Sequence, residues 1–189
     1  MRPFMLQIVR PQMGYWVFPP PLSPIPDEPS CMPNGPRVFV DTSVLLYADD
    51  RGDPARRDQA RAWLAHLWAK RTGRVSTQIL SEYYVSTTQH VGQHIAKGLS
   101  QGDARAKLRR YQQWQPWVID HQTVETAWGL EARLKLDYWQ ALTLACATHC
   151  GCVAVLSDVL PLTRYDHLEV INPFEMSSQD WAKSVTPKP

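Results

Sequence analysis

Short apolar runs alternate with segments of helical period along most of this chain, and that alternation restricts its fold more than any other feature. Val38-Phe39-Val40 and Cys152-Val153-Ala154-Val155-Leu156-Ser157 are apolar on consecutive positions, as strands buried on both faces are. Leu168-Glu169-Val170-Ile171 reads as a further strand. From Pro54 onward, Ala60, Trp63, Leu64, Leu67 and Trp68 recur at the i, i+3, i+4 spacing of an amphipathic helix. Asp53 is placed to cap that helix and Pro54 to occupy its first turn. Further helices are expected over Gln78 to Thr88, Asp103 to Trp114, Thr123 to Leu134 and Asp137 to His149, the last ended by Gly151. Arg74-Val75-Ser76 and Trp117-Val118-Ile119 complete the expected strands. Strands separated by helices imply an α/β fold with a mostly parallel central sheet covered on both faces.

Proline usage sets the expected boundaries. Ten of the 16 prolines fall within residues 1–36, where rings that fix φ and remove donors prevent helix or paired strand. Residues 1–36 are therefore expected to be an extended or disordered extension, residues 37–175 the domain, and residues 176–189 a C-terminal tail. Met32 lies just before the first strand and is the expected natural start, with residues 1–31 an extension of the gene model. The alternative is a docking tail using Tyr15, Trp16 and Phe18.

The net charge of +2 does not argue for a polyanionic partner, but its distribution is uneven. Residues 51–74 carry seven basic side chains, Arg56 and Arg57 among them, against Asp53 and Asp58. Residues 97–110 carry five, including Arg109 and Arg110, against Asp103. Such clusters suit an RNA backbone through counterion release, or are solvated helix faces. Cys146, Cys150 and Cys152 lack the paired spacing of zinc sites and read as small buried apolar groups of a reduced, cytoplasmic protein. No apolar stretch approaches the ~20 residues that span a membrane, and no signal-peptide core is seen.

The acids with chemical potential fall at strand ends. Asp41 directly follows Val38-Phe39-Val40, Glu82 stands on the helix after the second strand, Asp137 opens a late helix, and Asp158 closes Val-Leu-Ser-Asp. Carboxyl ends of strands are where α/β sheets place ligands. Four carboxylates on one rim repel unless cations occupy it, and oxygen ligands without His or Cys point to Mg2+ or Mn2+. Each acid also has a structural reading: Asp41 as cap of a short helix over Val44–Tyr47, Glu82 as a surface residue, Asp158 as a turn residue. Asp137 with Gln140 approximates a capping box.

VFVDTSVLLYADD, STQILSEYYV, LDYWQALTLACATHCGC, VLSDVL and VINPF occur in that order. From about Arg37 to Phe174 the chain thereby resembles the PIN-domain family, most closely VapC-type toxins of toxin–antitoxin pairs. The resemblance implies a three-layer α/β/α sandwich, Mg2+- or Mn2+-dependent ribonuclease (hydrolase) activity on RNA phosphodiesters, and a homodimer neutralised by a cognate antitoxin protein. Asp41 and Glu82 match the family's first two acids. Relatives carry an acid where Gln140 stands and another where Val159 stands. Asp137 and Asp158 are expected to compensate as catalytic and metal-binding residues, with Thr42, Ser43, Gln140 and Ser157 lining the site. Arg56, Arg57, Arg109 and Arg110 are expected to guide RNA. The displaced acids leave open a degenerate PIN domain that binds RNA or protein without cutting.

Other motifs carry less. His90 and His94 are four apart, but no Glu follows the first, so HExxH is not met. Asp41-Thr42-Ser43 lacks the second acid of an aspartyl-phosphate phosphatase, and neither a P-loop nor GxGxxG occurs. Trp63, Trp68, Trp114 and Trp117 are expected in packing rather than base stacking.

Overall fold

The computed structural model describes residues 35–89 and 98–185. In chain order they form β1 (Val38–Val40), α1 (Thr42–Tyr47), α2 (Pro54–Lys70), β2 (Gly73–Arg74), α3 (Thr77–Thr88), α4 (Gln101–Tyr111), α5 (His121–Leu134), α6 (Tyr138–His149), β3 (Ala154–Leu156), β4 (Arg164–Tyr165), β5 (Leu168–Ile171) and α7 (Ser178–Val185). The sheet order is β2-β1-β3-β5-β4, parallel throughout except where β4 pairs antiparallel with β5. Every side chain of β1 and β3 is inaccessible to water. Burial on both faces of these central strands requires helices on both sides, which is the expected α/β/α layering.

Three of the expected elements differ. Trp117-Val118-Ile119 is not a strand: Trp117 makes one parallel bridge, to Ser76, and the ladder stops there. Pro116 has no N–H to donate, Val118 is 70% exposed, and Asp120 already caps α5 through the Thr123 N–H at 2.8 Å. The second strand ends at Arg74, because the Ser76 hydroxyl turns to accept from Ile79 N–H as the cap of α3. The segment after residue 175 is not a plain tail, since α7 lies in it and buries Trp181. That ring sits 5.9 Å from Trp63 of α2, whose Nε1 donates to the Met176 carbonyl at 2.8 Å. Met32, His90 and His94 lie outside the described residues.

The tryptophans serve packing as expected: Trp68 and Trp114 lie 4.7 Å apart beside Tyr111. Gly73 is needed beneath them, since a Cβ there would approach the Trp114 ring to 2.6 Å. Cys146, Cys150 and Cys152 are free thiols and buried. A second buried feature ties α3 to α4. Asp49, 9% exposed at its side chain, accepts from the Tyr83 hydroxyl at 2.5 Å and from the ammonium of Lys107.

Candidate active site

The carboxyl ends of β1 and β3 lie side by side, and the Asp41 N–H donates to the Leu156 carbonyl at 3.0 Å. This bond fixes Asp41 beside Ser157. Its Oδ2 accepts from the Ser157 hydroxyl at 2.5 Å and its Oδ1 from the Thr42 N–H at 2.6 Å, as N-cap of α1. Capping and site membership thus coexist in one carboxylate. Burial pushes the Asp41 carboxyl up to about 6; the bonds from Ser157 and Thr42 oppose the rise, and the charges of Glu82 and Asp158 add to it.

Thr42 joins the first two acids. Its hydroxyl donates to Glu82 Oε2 at 2.5 Å, while Gln78 Nε2 donates to Glu82 Oε1 at 2.7 Å. Gln78 has no place among the sequence-derived candidates. Its signal was its position one helical turn before Glu82, which puts two side chains on the same face. Both oxygens of Glu82 are therefore held by neutral donors from different elements, α1 and α3.

Asp158 follows β3, and its Oδ1 is buried without a hydrogen-bond partner. The Ser43 hydroxyl is buried in the same unpartnered state. Ser157 supports the turn as well as Asp41, since its Oγ accepts from Val159 N–H at 3.3 Å. Gln140 lines this turn, donating from Nε2 to the Val159 carbonyl at 3.1 Å.

Asp137 departs from its expected metal-binding role. It is exposed and caps α6, accepting from Trp139 N–H at 2.9 Å and Gln140 N–H at 3.1 Å. The physical reason is local: an aspartate before a helix finds two orphan N–H groups at no cost in distance. Of the four expected acids, Glu82 and Asp158 each act electrostatically on Asp41. Among the described residues, no three His, Cys, Asp or Glu side chains form a group that could hold a metal ion. The donor chemistry nonetheless fits a hard divalent ion in kind, being carboxylate oxygen with one buried oxygen, Oδ1 of Asp158, left unsatisfied.

The four arginines separate. Arg56 lies at the site: its Nη1 donates to the Tyr47 hydroxyl at 2.7 Å, and its guanidinium stands 5.3 Å from the Tyr47 ring and 5.1 Å from that of Phe174. Asp158 acts on it electrostatically. Arg57 instead pairs with Asp58 at 3.0 Å. Arg109 and Arg110 occupy the last turn of α4, with Arg109 exposed and Arg110 half-buried.

A mostly parallel sheet whose central strands β1 and β3 are followed by Asp41 and Asp158 defines an α/β domain with acids at the strand ends. The PIN-domain family model matches residues 38–166, and the chain belongs to the PIN-domain family. Among solved structures the chain is similar to VapC20 of Mycobacterium tuberculosis, a sarcin-ricin-loop-cleaving toxin. The likeness is 17% identity over 70% of this chain and 98% of that one, with a TM-score of 0.49. A search of curated proteins gives no match.

Proposed function

We propose that this PIN domain is a metal-dependent endoribonuclease, the toxin of a toxin–antitoxin pair, acting in the cytoplasm on RNA phosphodiester bonds. The observation that carries the proposal is the buried Asp41, held between Ser157 and Thr42 within reach of the charges of Glu82 and Asp158. Asp41, Glu82 and Asp158 are the acids that would have to be drawn together around Mg2+ or Mn2+, since they do not form a three-ligand group in this structure. The bound ion would acidify a water and steady charge on the phosphodiester. Thr42 and Gln78 fix the two oxygens of Glu82 and Ser157 fixes Oδ2 of Asp41, so these residues would position the carboxylates for such an ion. Arg56 presents a guanidinium braced by Tyr47 and Phe174, suited to bidentate contact with a phosphate beside Asp158. A cognate antitoxin and a homodimer accompany this reading through the sequence resemblance to VapC-type toxins. Among the described residues, no helix is long and apolar enough to cross a membrane.

A second reading has its own support. Asp137 is spent on the α6 cap and the Gln140 amide on the Val159 carbonyl, which favours a degenerate domain that binds RNA or protein without cutting. Calorimetric titration with Mn2+ beside an RNA cleavage assay decides between them. Cleavage that Asp41→Asn abolishes supports the nuclease. An inert natural protein that gains metal binding and cleavage on Gln140→Asp with Val159→Asp supports the degenerate domain. Cleavage untouched by Asp41→Asn overturns the site assignment.

A further inference from the structure

A cleft of about 240 Å³ opens beside the acids and shares Ser157 and Asp158 with them. Its volume lies below the roughly 300–1,000 Å³ of sites for drug-sized ligands, so it suits a single flat ring system. Leu160, Pro161, Leu162 and Val170 give it apolar walls. The polar part is at least as large as the apolar one and comprises the carboxylates of Asp158 and Glu175, the hydroxyls of Ser157 and Thr163, and Asn172 between β5 and Glu175. Asn172 is already committed, its Nδ2 donating to Glu175 Oε1 at 2.8 Å and its Oδ1 accepting from Phe174 N–H at 3.0 Å. The clamp on Asn172 fixes the Glu175 carboxylate at the cleft and occupies one of the two amide N–H groups.

A phosphate is unsuited to such a cleft, because two carboxylates repel it. A nucleobase fits: its faces meet apolar walls and its edge can donate to carboxylates. We infer that this cleft seats a base next to the scissile phosphate and selects one carrying an exocyclic amino group. Adenine, cytosine and guanine each offer an N–H2 donor there. Uracil has a single N–H flanked by two carbonyl oxygens, which two carboxylates would disfavour, with only the Thr163 hydroxyl and one Asn172 N–H to offset them. The inference rests on the nuclease reading for its substrate, RNA, and goes beyond it in naming the part of the RNA that is recognised.

The test uses the full chain in two assays. In the first, an RNA pool of random sequence is digested and the new ends are sequenced. Amino-bearing bases are expected at one position flanking the cut, with uracil depleted about tenfold, the scale of one lost base contact. Glu175→Gln supplies a donor that uracil can accept, so the depletion should relax toward twofold or less. In the second, AMP, CMP, GMP and UMP are titrated into Asp41→Asn protein and followed by NMR, with UMP expected to bind at least about fivefold more weakly than the others. Cutting with no base bias overturns the cleft assignment and leaves the nuclease reading standing. Absence of cutting with discrimination against UMP retained does the reverse. Equal binding of all four, or bias unchanged in Glu175→Gln, refutes the inference.

Discussion

Asp41→Asn is expected to raise the stability of the folded protein at neutral pH while removing RNA cleavage. Burial holds the Asp41 carboxyl at about 6 against an ordinary value of 3.8, so ionising it is harder in the folded chain than in the unfolded one. A shift of roughly 2 units corresponds to about 3 kcal/mol. Because the folded value is the higher one, the favourable contribution is fully present below about pH 4 and is lost as pH rises through about 6. At neutral pH the wild-type protein carries that deficit. An asparagine of the same shape carries no charge to desolvate and can still accept from the Thr42 N–H. Weaker bonding to Ser157 and Thr42 reduces the gain to about 1–3 kcal/mol. Urea denaturation of both proteins in EDTA at about pH 4, 5, 6 and 7.5 measures the difference, in which the other carboxylates cancel. The two stabilities should converge near pH 4, separate through about pH 6 and stay apart above it. A difference independent of pH would refute the account of Asp41. Repeating the measurement with Mn2+ should stabilise the wild type and leave Asp41→Asn nearly unchanged.

Asp137→Ala should cost about 1 kcal/mol through loss of the α6 cap while Asp137→Ser retains it, and neither should change Mn2+ affinity. A calorimetric loss of affinity in both would return Asp137 to the metal site. Gly73→Ala should destabilise by about 1–3 kcal/mol, because its Cβ would meet the Trp114 ring at 2.6 Å. An unchanged thermal midpoint would show that the ring moves aside freely.

Much of this architecture follows from short-range pattern. The run Val38-Phe39-Val40 declares a buried strand, and an acid directly after it bears a desolvation cost even while it caps α1. The same logic over-reached at Trp117-Val118-Ile119, whose residues have strand propensity but lie between Pro116 and the Asp120 cap of α5. β4, with two residues, gives little periodic signal to read. At the site, the joint holding of Asp41 and Glu82 by Thr42 depends on two elements meeting, which spacing along the chain does not encode. Asp137 shows the converse. Its capping-box pattern was legible in Asp137 and Gln140, and the cap's hydrogen bonds occupy the carboxylate that was expected to compensate for the acid missing at Gln140. Arg56 was selected for its charge alone, whereas its position depends on Tyr47 and Phe174, which lie far apart in sequence.

The contact between Asp49 and Lys107 bears on how strongly salt would weaken binding to RNA. The salt exponent of a polyanion complex counts cations that displace counterions, not cations in the composition. Lys107 is neutralised within the fold, as Arg57 is by Asp58, so neither adds a full unit to that exponent. A tally of the two basic stretches therefore overstates the slope. If the domain binds RNA as proposed, Asp49 would lessen the salt dependence of that binding from inside the protein, by holding Lys107.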